Sequence, residues 1–213
     1  EGAPEALYRG MSSGLYLRHA GYTLNATLSG FVLGSLIGIA VGALIAVNRY
    51  VDMLLYPYVI MFKSMPKVAL APIFTLWLGL GLASKFVLVL LVAIFPVIVT
   101  TEAGLRAADK NLIEAARSFN ATPLQIFTTV TFPYALPFIV SGIRVAWARA
   151  LVGIVVAEFF GSFAGFGFAV MAAGQTFDTA TLLTYVIVLG AMGLVGSMIF
   201  QSLETRLAPW RTA

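Results

Sequence analysis

The sequence has no cysteine and a single histidine, His19, among its 213 residues. The first absence excludes a disulfide framework, a thiol nucleophile and a zinc site built on sulfur. The second excludes a metal cluster built on imidazoles. Charge is scarce too: Asp, Glu, Lys and Arg make up 10% of the chain, where a soluble domain carries about a quarter. No Gly-Lys dipeptide occurs anywhere, so the phosphate-binding loop G-x-x-x-x-G-K-S/T is missing. Neither H-E-x-x-H nor G-x-S-x-G is present, which leaves a membrane protease or hydrolase without visible chemistry.

What is present is apolar. Hydrophobic residues make up 60% of the chain and the mean hydropathy is +0.95, a membrane composition. The net charge is +4, yet the basic residues are scattered rather than clustered. That pattern fits loop ends beside a bilayer and not a nucleic-acid surface. A membrane-crossing helix needs about 20 mostly apolar residues, and five such stretches are expected. The first is Leu24 to Val47. The second, about Met53 to Leu80, is interrupted by Pro57, Pro66 and Pro72 and by Lys63 and Lys67, and reads as a broken helix. The third covers Lys85 to Leu105, the fourth Tyr134 to Ala157 and the fifth Ala180 to Leu203. Residues 161–175 are glycine-rich and read as a re-entrant or interfacial loop with a short helix. The chain opens on Glu1 with no signal-peptide core, and a preceding segment with a sixth span is expected. No soluble second domain is visible.

Within the first span Gly30, Gly34, Gly38 and Gly42 recur at every fourth position, on one helix face. Such a stripe lets another backbone approach closely, within the protomer or across a dimer. Arg49, Arg106, Lys110, Arg117, Arg206 and Arg211 fall in alternate loops or the C-terminal tail. Residues 106–133 and the C-terminus are therefore expected in the cytoplasm, with 158–180 and the N-terminal 20 residues outside. Trp77 and Trp210 read as interfacial anchors, Tyr22, Tyr50, Tyr56 and Tyr58 sit near span ends, and His19 reads as an ordinary boundary residue.

The segment "EAARSFNATPLQIFTTVTFP", residues 114 to 133, is charged and sharply punctuated. Asp109 can cap a helix from Lys110 to Phe119, with Leu112, Ala115, Ala116 and Phe119 on one face. Lys110, Glu114 and Arg117 lie on the other. Asn120 follows where a left-handed residue ends a helix. Thr122 then caps a second helix with Pro123 at its first position, and Gln125 completes a capping box. The second helix is expected to end before Pro133. Each local signal agrees with the next. A loop this long between spans is either functional, as a docking site, or an ordinary connector with fortuitous caps. Docking is favoured together with the resemblance below.

Glu114-Ala115-Ala116, a turn residue six positions after the Glu, and Val130-x-Phe132-Pro133 together resemble the "EAA…G…I-x-L-P" signature of ABC importer permeases. Asn120 replaces the usual glycine, and Val130 and Phe132 replace Ile and Leu. "MPKVALAPIFTLWLGLGLASK" (Met65 to Lys85) is similar to the Pro-x-x-Ala-x-x-Pro…Trp-Phe-Gly-x-Gly stretch of the nitrate/sulfonate/taurine branch, which brings Pro66, Ala69 and Pro72 into a matching pattern. "SGIRVAWARALVGIVVAEFF" (Ser141 to Phe160), Gly165-Phe166-Gly167 and "RLAPW" (Arg206 to Trp210) match in order, so the resemblance spans about residues 20–211. It implies an all-α integral membrane protein with the type I ABC importer permease fold: one permease domain over 1–213, five visible spans and a cytoplasmic coupling helix-turn-helix. It also implies two ATPase subunits docked on the loop, binding ATP and magnesium themselves, so that this chain holds no cofactor. A second permease copy in a homodimer, an extracytoplasmic solute-binding protein and a bacterial-type inner membrane complete the picture. Ala115 and Ala116 would allow close approach, Asn120 would set the angle between the helices, and Glu114 would supply a charge-assisted contact. The solute would be a small anion such as a sulfonate, taurine or nitrate, although the branch also imports uncharged and heterocyclic compounds.

Charges inside spans call for a functional reading first. Lys63, Lys67, Arg144, Arg149 and Glu158 either line the pathway for an anion or act in the fold. In the second case Lys63, Lys67 and Arg144 snorkel to an interface, and Arg149 and Glu158 stabilise the structure. The second reading is favoured, because importers of this type take specificity mainly from the binding protein. An ion-coupled secondary transporter is the alternative, and dependence of uptake on ATP rather than on an ion gradient separates the two. A structural scaffold would tolerate replacement of the EAA segment.

Overall fold

The computed structural model describes residues 14–207, and every regular element among them is helical. Trp210 and Arg211 lie outside the described residues. Helix α1 runs over Leu15–Val47, starting upstream of the expected Leu24. The polar residues there do not stop it, because Arg18 points out while His19 is buried against a backbone partner.

Asn48 turns the chain into α2, Arg49–Ser64, and its side chain accepts from the Tyr50 and Val51 amides. The second span is broken as expected. Met65 is extended, the conformation forced on a residue preceding proline. A 3-10 turn over Lys67–Leu70 and helix α3, Ala71–Leu78, then follow at 83° to α2. Helix α4, Leu82–Arg106, carries Pro96 in its interior and is the most deeply packed element, with α1 on one side and α7 on the other. Beyond it come α5, Lys110–Ser118, and the single turn α6, Pro123–Ile126. Helix α7 spans Phe132–Gly161, α8 Phe166–Gln175 and α9 Thr179–Leu207. Among the described residues four helices are long and apolar enough to cross a membrane, and α2 with α3 makes a fifth if the bent pair counts as one span.

Helix α4 occupies the glycine face of α1. A Cβ at Gly30, Gly34, Gly38 or Gly42 would stand 2.8, 3.0, 2.9 and 2.7 Å from the carbonyl oxygens of Phe86, Leu90, Ile94 and Ile98. Two four-residue ladders thus mesh, glycine against carbonyl, within one chain. On the far side of α4, Gly104 lies under Phe138 and Gly153 against Val92. Large rings fill the wider gap between α1, α7 and α9, where Phe31 meets Trp147 edge-on at 5.4 Å.

One expectation is corrected. The helix begun at Pro123 does not end before Pro133; it continues unbroken to Gly161 as a single helical stretch of 39 residues. The passage is made by a widened π turn over Phe127–Thr131, in which the Phe132 amide bonds to the Phe127 carbonyl. A proline ring clashes with the carbonyl four residues back and supplies no N–H. Widening the turn before Pro133 relieves the clash without ending the helix.

Candidate functional site

The charged segment folds into a short helix with two defined ends and the capped start of the long helical stretch that runs on to Gly161. Asp109 accepts from the Asn111 amide at 2.8 Å and caps α5. At the other end Asn120 has φ 57°, in the left-handed region. The Ala121 amide bonds back to the Ala116 carbonyl and the Asn120 amide to the Arg117 carbonyl. This crossed pair of bonds satisfies carbonyls that would otherwise be orphaned at the helix end. Two residues later the Thr122 amide donates to Gln125 Oε1 at 2.8 Å, and the Gln125 amide donates to Thr122 Oγ1. Pro123 is the first residue of α6. The angle between the helices is therefore set by local hydrogen bonds in a stretch of about five residues.

The segment keeps an apolar surface uncovered. Leu112, Phe119 and Leu124 are 52, 87 and 72% exposed. Glu114, Ala115 and Arg117 are exposed beside them, while Ala116 is half-buried. The capped corner between α5 and α6 thus presents leucine and phenylalanine side chains on its outer surface.

The candidate pathway residues do not form one cluster. Pro66 stands at the break of the second span, Ala69 is exposed in the 3-10 turn and Pro72 sits in the first turn of α3. Lys63 is exposed. Lys67 is half-buried, with its ammonium 4.8 Å from the centre of the Phe95 ring. Arg144 pairs with Glu204 of α9 at 3.5 Å, and Arg149 is exposed. Glu158 is buried at the opposite end of the bundle from α5. Its Oε1 accepts from the Thr23 hydroxyl at 2.8 Å and its Oε2 from the Gly167 amide at 2.6 Å. Thr23 in turn accepts from the Phe166 amide, and His19 Nδ1 accepts from the Gly165 amide, both at 2.9 Å. Three successive amides at the start of α8 are thereby tied to α1 and α7.

A family model, "binding-protein-dependent transport system inner membrane component", matches residues 30–212. The chain belongs to that family. The permease is 33% identical to a putative aliphatic sulfonates transport permease of Bacillus subtilis, over 94% of this chain and 73% of that protein. It is 31% identical to a formylaminopyrimidine transport permease of Halalkalibacterium halodurans, over 94% of this chain and 80% of that one. A chain of the MetNI methionine ABC transporter in an inward-facing conformation shares the fold. It matches with TM-score 0.80 at 23% identity, covering 91% of the permease and 96% of that chain. The permease is thus the membrane component of a binding-protein-dependent ABC importer, a multi-pass transport subunit and not a catalytic one.

The structure also assigns partners that sequence reasoning missed. Lys85, expected at the start of the third span, is fully buried in the first turn of α4. Its ammonium donates to the carbonyls of Leu80, Gly81 and Gly161 at 3.0, 3.0 and 2.9 Å. A cation placed there also faces the carbonyl end of α7, where helix polarity favours it. His19 is not a plain boundary residue, since it holds Gly165. Arg106, read only as an orientation marker, bonds to Asp52 at 2.9 Å and to Glu102 at 3.1 Å. The Glu102 to Arg106 spacing of i to i+4 was a usable signal. Nothing in the sequence points to Asp52 or to the pairing of Thr23 with Glu158.

Proposed function

We propose that the permease, acting as one domain in a homodimer, carries a small organic anion of the sulfonate type. An extracytoplasmic binding protein hands over the solute, and two copies of a separate ATPase subunit drive the cycle. In this reading α5, Asn120 and α6 form the ATPase docking site on the cytoplasmic side. ATP and magnesium are bound by those partners. Closure of the ATPase pair displaces α5 and rocks the permease halves from inward-open to outward-open.

The observation that carries this reading is the exposed, doubly capped helix pair. Its geometry is fixed by its own hydrogen bonds, so a force on α5 is passed on rather than absorbed. Its exposed Leu112, Phe119 and Leu124 supply the apolar area that an interface core needs. Arg106, Lys110 and Arg117 flank it at the same end as the Arg49 corner and Arg206, the distribution expected of a cytoplasmic face. The solute class rests on the similarity to the sulfonate permease of Bacillus subtilis.

The test is ATP-dependent uptake of radiolabelled taurine into vesicles holding the permease, its ATPase and its binding protein. Glu114→Arg and Ala115→Asp are expected to abolish uptake while the permease remains at normal abundance in the membrane. Uptake at the normal rate in either variant contradicts the docking site. If the variants lose ATPase binding but the parent takes up no taurine, docking stands and the solute class is wrong.

A further inference from the structure

Helix α2 is loosely held. Only one of its residues, Val59, is buried, and the aromatic contact of Phe62 on Phe95, stacked at 5.9 Å, adds to it near the break of the span. Elements with few buried contacts are those that move at low cost. At its other end Val51 and Leu55 pack half-buried against the cluster of Ile45, Val59, Phe95 and Ile98, and α2 is tied there by one guanidinium. Arg106 Nη2 bonds to Asp52 Oδ2 at 2.9 Å and donates to the Ile45 carbonyl at 3.3 Å, while Nε bonds to Glu102 at 3.1 Å. Ile45 lies in the last turn of α1, where carbonyls lack helical partners. Asp52 lies in the first turn of α2. Arg106 itself is the last residue of α4, just ahead of the Asp109 cap of α5. One side chain therefore joins the ends of three helices directly beside the segment assigned to docking.

We propose that Arg106 is the strut that delivers displacement of α5 to α2 and the broken span, through its bonds to Asp52 and the Ile45 carbonyl. A planar fork with several donors suits this task, because it fixes direction as well as distance. The Arg106 side chain is 44% exposed, against 27% for Asp52 and 12% for Glu102, so the guanidinium reaches from the surface to two partly covered carboxylates. The geometry also explains why α2 can be so thinly packed yet aligned at its start. The proposal rests on the docking reading above and makes Arg106 a positioning residue that never touches solute.

The permease has no cysteine, so Met61→Cys on α2 and Val195→Cys on α9 can be spin-labelled as a pair unique in the chain. The pair is measured in the purified permease–ATPase complex, diluted with unlabelled permease, with and without ATP and vanadate. The label distance is expected to shift on nucleotide trapping in the parent. That shift should be lost in Asp52→Ala and in Arg106→Gln, and return in the exchanged pair Asp52→Arg with Arg106→Asp. Asp52→Ala alters no residue of the loop, and its complex should retain the ATPase. A shift that persists in both single variants overturns the strut while docking stands. A parent complex that binds ATPase but shows no shift also overturns it. If the parent binds no ATPase, the docking reading itself falls, and the strut with it.

Discussion

Thr23 and Glu158, 135 positions apart, meet in a 2.8 Å hydrogen bond that closes one end of the helix bundle. The contact is part of a connected set. Thr23 donates to Glu158 and accepts from Phe166, and Glu158 also accepts from Gly167. All of these residues are buried, so each bond removed leaves a polar group without water to replace it. Glu158→Ala is expected to destabilise the permease by about 1 to 3 kcal/mol for each group left unsatisfied. Glu158→Gln should cost less, because its carbonyl still accepts from Gly167 and its amide can donate to Thr23. Thermal melting of the detergent-solubilised permease reads the difference. Equal melting of the alanine variant and the parent would contradict the assignment.

The meshed ladder of α1 and α4 makes a second prediction. At Gly38 and Gly42 the nearest obstacles include backbone oxygens, at 2.9 and 2.7 Å from an added Cβ. No rotamer change can clear them, so the helices must part. Gly38→Ala and Gly42→Ala should each cost about 1 to 3 kcal/mol, the range for overpacking a tight core. Gly21→Ala is the internal control, with nothing within 4 Å, and should be neutral or slightly stabilising because alanine is the better helix former. If Gly42→Ala melts like Gly21→Ala, the helices are not in contact along that stripe.

Asn120 is predicted to matter through its backbone. At φ 57° it occupies a conformation open to glycine and asparagine and hostile to β-branched residues. Asn120→Gly should keep the angle between α5 and α6 and leave ATPase retention unchanged. Asn120→Val should cost about 1 to 2 kcal/mol locally and reduce the ATPase that co-purifies, with membrane abundance preserved. Full retention with valine would show that the angle is not set there.

Much of the architecture was legible because local rules carry it. Proline and lysine punctuation gave the broken second span, and the interval of the α1 glycines gave a close helix contact. Asp109, Asn120, Thr122 and Gln125 gave both ends of α5 and the start of α6 from side-chain chemistry alone. Pro133 misled, since the same residue that stops an α-helix is tolerated after a π turn, and nothing in "FTTVTFP" distinguishes the outcomes. The contacts of Lys85, His19 and Glu158 were illegible for another reason. Each depends on which distant backbone groups the fold brings near, and hydropathy treats all three only as interruptions of apolar runs. Arg106 lay between the two cases: its bond to Glu102 is local, while Asp52 and Ile45 are reached only through the fold.

What covers Leu112, Phe119 and Leu124 decides the proposed docking role. The direct measurement is gentle purification of the tagged permease from its native membranes, followed by mass spectrometry of the proteins retained. A stoichiometric protein bearing a P-loop is expected with the parent. It should be lost with Phe119→Asp, a change at an 87% exposed position that leaves the melting temperature within about a degree or two of the parent, as exposed substitutions do. No P-loop protein even after mild cross-linking, or equal retention by the Phe119→Asp variant, would contradict the account.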